Sequence, residues 1–230
     1  MDIATVFAQE CFDDIAKEMG FLRSGSFYYR IVNDIFLCFG FQPMGWHFRL
    51  IVMVSPLITG IGRYDDDRIV WFARDYSKEI GFNQGEHYDV QIPEKRALMK
   101  EYNRSLILTI KPELESISDL QTAYDVINVI DSRNGRYRRF GISAKKEAII
   151  LYRLGKPEQA LEVRNLEYYP ELKNQIVARD NDAINHLTES EFERSVEWLK
   201  KHRFCRNVVG GVFAERLLEE RKARGRKHGE

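Results

Sequence analysis

FYYRIVNDIFLCFGFQPMGWHFRLIVMV, residues 27–54, decides the fold. Three apolar runs are separated by Asn33-Asp34 and by Gln42-Pro43-Met44-Gly45. Asn-Asp tolerates positive φ and suits a two-residue hairpin connection. Proline at the second position of 42–45 and glycine at the fourth suit a type I turn. Two tight turns predict a three-stranded antiparallel meander. The first sets Val32 opposite Ile35, Arg30 opposite Leu37 and Tyr28 opposite Phe39. The second sets Phe41 opposite Trp46, Phe39 opposite Phe48, Leu37 opposite Leu50 and Ile35 opposite Val52.

Strand side chains alternate between faces. One face then collects Tyr28, Val32, Ile35, Leu37, Phe39, Phe41, Trp46, Phe48, Leu50, Val52 and Val54, and is a core. The other collects Phe27, Tyr29, Ile31, Phe36, Cys38, Gly40, His47, Arg49, Ile51 and Met53, and is mixed. A one-residue slip would exchange the two, so the agreement of both turns fixes the faces.

Outward from the meander, residues 2–19 read as an amphipathic helix between an Asp2 cap and a Gly20 stop. Ile3, Phe7, Cys11 and Ile15 form its apolar stripe, which is expected on the core face. Ser55-Pro56 ends the third strand. Gly60, Gly62 and Asp65-Asp66-Asp67 mark a loop, 69–80 a short helix and 87–92 a short strand. Pro93 opens a helix that ends near Pro112. Beyond it the chain reads as helical. Ser118-Asp119-Leu120-Gln121 is a capping box, and a basic loop spans 132–143. Ser143 caps KKEAIILYRL, and Pro157 opens EQALEVRNL. A helix covers 171–187, and Thr188-Glu189-Ser190-Glu191 is a further capping box. After Gly210-Gly211 a last helix runs to about Arg224.

The expected class is α+β: an N-terminal helix packed on a three- to four-stranded antiparallel sheet, followed by a mostly helical C-terminal region. The expected division is an α+β domain over 1–131, a linker at 132–142, a helical region over 143–224 and a frayed tail at 225–230. The first half carries 13 basic and 17 acidic residues up to 115, the second 22 and 18, an asymmetry that favours the halves docking on each other.

Zero formal net charge over 230 residues gives no bulk signal for nucleic acid or an anionic membrane. Cys11, Cys38 and Cys205 are far apart and without metal-ligand spacing, which reads as reduced thiols in a cytoplasm. No apolar run reaches the length of a membrane span, and the acidic N-terminus is unlike a signal peptide. No motif for a cofactor, metal or nucleophile elbow is present.

The helix, the FLRSGSFYYR segment, the strand ending in Val-Ser-Pro and the segment ILTIKPELESISDL together resemble a family of small bacterial proteins classed as a domain of unknown function, over roughly residues 3–131. The resemblance implies a helix on an antiparallel meander with helices after it; some members are immunity-type proteins. AIILYRLGKPEQALEV resembles the helical hairpin of one tetratricopeptide repeat, over 144–167.

Three constellations carry candidate chemistry. Tyr29, Cys38, His47 and Arg49 share the mixed face, with Cys38 between Tyr29 and Arg49; this is a candidate binding face, and a Cys–His pair can make a nucleophile. Arg133, Arg136, Tyr137, Arg138 and Arg139 interleave guanidinium groups and a ring, as phosphate or single-strand contacts do. Asp65, Asp66 and Asp67 supply oxygen atoms but lack the spacing of a calcium loop. The expected function is non-enzymatic, intracellular binding of another protein, immunity-like by the resemblance. The alternatives are a nucleic-acid or nucleotide binder through the 133–139 loop, and an enzyme using the Tyr29/His47/Arg49 face. No cofactor and no membrane partner are expected.

Overall fold

The computed structural model describes residues 2–44, 47–61, 70–72, 89–133 and 143–227, with the backbone alone at 43–44, 47–49, 70–72, 89, 129–133 and 225–227. The protein is α+β, and the meander is its centre. Asn33 and Asp34 have φ of 47° and 63°, the left-handed pair that a tight hairpin with strand-matched twist demands. β2 (Phe27–Val32) and β3 (Ile35–Met44) pair as the turn predicts, Val32 with Ile35 and Tyr28 with Phe39.

β4 (His47–Pro56) is antiparallel to β3 in a different register from the expected one. Phe41 faces Leu50, Phe39 faces Val52, Leu37 faces Val54 and Ile35 faces Pro56, each partner four residues further along. The chain does not turn at 42–44. Pro43 stays in the strand opposite Phe48, and pairing continues to Met44 and His47. Proline's fixed φ suits extended backbone as well as a turn, and the longer ladder satisfies backbone groups that an earlier turn would leave to solvent. Four is even, so the paired residues keep their faces.

Short strands complete the sheet. β1 (Leu22–Ser24) pairs with β2, and β5 (Val70–Phe72) pairs with Ile51, Val52 and Met53 of β4. The helix expected over 69–80 is therefore a strand at 70–72, as Val-Trp-Phe favours; 73–80 lie outside the described residues. At 89–91 the chain makes a 3-10 turn where a strand was expected, because Pro93 already starts a helix and Val90 is buried against the first core.

The first face is covered by α1 (Ile3–Glu18), α2 (Pro93–Ser116) and α3 (Leu120–Arg133). Asp2 caps α1, accepting from the Thr5 amide at 2.9 Å. Phe7 stacks on Phe41 with ring centroids 5.3 Å apart, and Phe12 meets Phe39 edge-on at 5.5 Å. α2 passes through Pro112 instead of stopping there. Loss of one helical hydrogen bond is outweighed because Leu114 and Ile117 are buried in the core beyond it. Asp119, not Ser118, caps α3, accepting from the Thr122 amide at 2.8 Å. Along the seam of α1 and α2, Glu10 pairs with Arg96, Asp14 with Arg104 and Glu18 with Lys111.

α4 (Ala144–Arg153), α5 (Pro157–Leu161), α6 (Pro170–Ala178) and the start of α7 (Asn181–Lys201) enclose a separate small core of Ala148, Ile149, Leu151, Leu166, Leu172, Ile176 and Ile184. α5 is much shorter than its expected span. The break expected at Thr188 lies at Arg179, whose φ is 52°, with Asp180 capping α7 through the Ala183 amide. Thr188 is inside α7 because the apolar series Ile184, Phe192, Val196 and Leu199 runs unbroken past it; its hydroxyl donates back to the Asn185 carbonyl at 2.9 Å. After α7, β6 (Val208–Val209) joins β2 in parallel, and α8 (Gly211–Lys227) extends into the stretch expected to fray. Of the expected linker, 132–133 belong to α3, and 134–142 lie outside the described residues.

Candidate functional site

The mixed face of the sheet is a second core. Tyr29, Ile31, Phe36 and Cys38 pack with Leu57, Phe192, Val196, Leu199, Phe204 and Phe213. Tyr29 is 2% exposed and Cys38 4%. The Tyr29 ring meets Phe204 edge-on at 4.8 Å, and Phe204 lies flat on Trp198 at 5.6 Å. Burial pushes the Tyr29 hydroxyl up from its ordinary pKa, partly offset by the Arg206 backbone amide. A half-buried face has therefore been filled by the chain's own C-terminal helices, and at Tyr29 and Cys38 it offers no open surface.

The corrected register also separates the four residues. Tyr29 does pair with Cys38, but Cys38 pairs with Met53, not Arg49. Arg49 pairs with Gln42 and His47 with Met44. His47 is thus six residues along β4 from the partner of Cys38, roughly 20 Å at strand rise. The register therefore does not set Cys38 and His47 beside each other. The thiols of Cys11, Cys38 and Cys205 form no disulfide, and burial raises the pKa of Cys11 and of Cys205. Arg133 ends α3, while Arg136, Tyr137, Arg138 and Arg139 lie outside the described residues, as do Asp65, Asp66 and Asp67. Among the described residues no group of three His, Cys, Asp or Glu side chains is placed to hold a metal ion, and no helix is long and apolar enough to cross a membrane.

Among the described residues a buried polar cluster lies elsewhere, where the turn after β4 meets α4 and α7. Lys146, 1% exposed, donates from Nζ to the Gly60 carbonyl at 2.8 Å. Glu191, 6% exposed, is held by Lys145 at 2.7 Å and by Arg194 at 2.5 Å. Ser195 Oγ accepts from the Ile61 amide at 2.8 Å and faces the carbonyls of Leu57 and Glu191 at 2.8 and 2.9 Å. Gly60 has φ of 77°, and a Cβ there would lie 2.3 Å from both the Arg194 guanidinium and the Glu191 carboxylate. Only glycine fits this left-handed, closely approached position.

Chemically this cluster is a fastener. Among the described residues, Ser195 Oγ is bonded to an amide and two carbonyls and to no base that would activate it. A buried carboxylate between two cations is compensated, and so is tolerated. The cluster ties three elements far apart in sequence, at 57–61, 143–146 and 188–195. Its sequence signal was a lysine one turn before Ile149 and Ile150 on the core side of α4, and Glu191 and Ser195 one turn apart beside an apolar series.

No family model, curated protein or solved structure matches this chain.

Proposed function

We propose that the protein works by binding another protein, and that the binding surface is on its helical half. The observation that carries this reading is the exposure of Tyr168 and Val177. Tyr168, in the 3-10 turn Leu166–Tyr168, is 75% exposed, and Val177 on α6 is 63% exposed. Tyrosine supplies large contact area at little conformational cost and is enriched at the centres of interfaces. Both residues stand on a compact helical unit with its own core, so they are presented rigidly. The mixed sheet face, the candidate binding face read from the sequence, is occupied at Tyr29 and Cys38 by the chain itself. An immunity-type partner follows from the family resemblance alone.

The test is affinity capture from the native host with the full chain and with a Tyr168→Ala/Val177→Asp variant, followed by mass spectrometry. The expected result is one protein recovered stoichiometrically by the wild type and lost by the variant, with circular dichroism and thermal melting of the two chains the same. Equal recovery by both chains refutes the placement. Nucleic acid recovered in place of protein refutes the reading.

A further inference from the structure

The C-terminal segment is joined to the body in the manner of a bound peptide. The exposed edge of β2 is shared: β1 pairs with its first half at Phe27, Tyr28 and Tyr29, and β6 with its second half at Ile31 and Val32. β6 adds as a parallel strand, with the Ile31 amide donating to the Asn207 carbonyl and the Asn33 amide to the Val209 carbonyl, both at 2.9 Å. Asn207 Nδ2 donates to the carbonyls of Gly20 and Tyr29 at 2.7 and 3.1 Å. The β2–β3 turn then receives α8. Asp34 accepts from the amides of Val212 and Phe213 at 2.8 and 2.9 Å, capping the helix from 178 residues away. Gly211 is required there, since a Cβ on it would lie 2.6 Å from the Asp34 carboxyl group.

The apolar hold is small. Phe213 is fully buried in the second core, and Val208 and Leu217 are partly buried beside it. Further ties among the described residues are surface pairs, Lys200 with Glu220 and Arg216 with Glu193, and Arg216 lying over the Phe192 ring at 5.0 Å. Exposed pairs of this kind contribute little and are screened by salt. Val209, Val212 and Leu218 face solvent. Strand addition to a sheet edge and insertion of an apolar helix residue into a groove are two recurring ways in which a folded domain takes a peptide, and residues 207–227 use both.

We propose that residues 207–227 are a ligand held in cis, and that the groove formed by the β2 edge, Asp34 and α7 takes the same segment from a second copy of this chain. The hinge is Cys205-Arg206, just after Phe204, which stays anchored on Tyr29, Phe36 and Trp198. Tethering gives the segment a high effective concentration at its own groove. The monomer therefore dominates when dilute, and exchange between copies sets in as concentration rises.

The test uses the full chain and a fluorescent synthetic peptide of residues 205–227, followed by anisotropy. Weakening the cis occupant raises the fraction of open grooves and tightens apparent peptide affinity in proportion, so Phe213→Ala in the chain is expected to strengthen binding by about tenfold or more. A Gly211→Ala chain is expected to behave alike, which guards against misfolding of one variant. A peptide carrying Phe213→Ala is expected not to bind. Hydrogen exchange on the wild-type chain reads the same event without substitution: α8 amides open locally and faster than those of α7. Failure of the peptide to bind either folded variant overturns the proposal. So does exchange of α8 only through the global opening that frees α7.

Discussion

Lys146→Met tests whether the cluster at Gly60 holds the two halves together. The Lys146 ammonium is buried and donates to the Gly60 carbonyl at 2.8 Å. Methionine fills the same channel with an unbranched chain of similar length, so packing is largely kept. What is lost is a hydrogen bond from a charged donor, and what remains is a buried carbonyl without it, a cost of about 1.5–3 kcal/mol. Relief of the lysine's own desolvation works the other way and draws the net cost toward the lower end of that range. With a urea slope of about 3 kcal/mol/M for a chain of this size, the midpoint should fall by roughly 0.5–1 M at unchanged slope. Urea titration followed by circular dichroism and by tryptophan fluorescence reads this, because Trp198 lies in the second core beside the fastened turn. Lys145→Met is the control. Lys145 is partly exposed and Glu191 keeps Arg194, so its midpoint should move by less than half as much. A Lys146→Met midpoint equal to or above that of the wild type would falsify the fastener reading.

Two further outcomes follow from the first layer. Asp14 is drawn down to a pKa of about 2, first by its hydrogen bond to Arg104, and Glu10 is lowered by Arg96. Both folded-state values lie below the unfolded ones, so their contribution is complete above about pH 5 and is lost as pH falls through the folded values. Because these carboxylates are substantially exposed, each pair should count for under about 1 kcal/mol, less in high salt. An acid titration of thermal stability should show a shallow drop that Arg104→Met reduces by the Asp14 share and leaves otherwise in place; an undiminished drop in that variant refutes the assignment. The register of the sheet predicts that Leu37→Cys/Val54→Cys in a chain lacking the native thiols closes a disulfide under mild oxidation. Leu37→Cys/Leu50→Cys should not, its positions lying roughly 13 Å apart along the strand. Closure of the second pair alone would restore the register read from the turn residues.

The parts of the fold legible in the sequence are those that local chemistry decides. Asn33-Asp34 admits few alternatives, and the pairing it sets is the pairing found. Asp2 and Ser143 cap the helices they were expected to cap. Illegible parts depend on groups distant in the chain. Thr188-Glu189-Ser190-Glu191 has the composition of a helix start, yet Glu191 and Ser195 are committed to Lys145, Arg194 and the turn at 57–61. A capping box cannot compete with that many buried partners. Val208-Val209 is too short to read as a strand, and it becomes one only because β2 has half an edge left over beyond β1.

Faces and sites respond differently to an error of register, and the meander separates the two. Membership of a face depends only on whether the shift is even or odd. Leu37, Phe39, Leu50 and Val52 reach the first core under either pairing, and all four are buried there. Proximity depends on the shift itself, at about 3.4 Å for each residue. A displacement of four residues leaves the core intact, yet it takes Arg49 off Cys38 and carries His47 far down β4. A site assembled across strands therefore needs the absolute register, whereas a hydrophobic layer needs only its parity. The cluster at Gly60 escapes this dependence. Its members come from a glycine turn and two helices whose spacing of one turn is fixed by helix geometry, so Lys146, Glu191 and Ser195 would converge there whichever pairing β3 and β4 adopted, provided that β4 ends at Pro56.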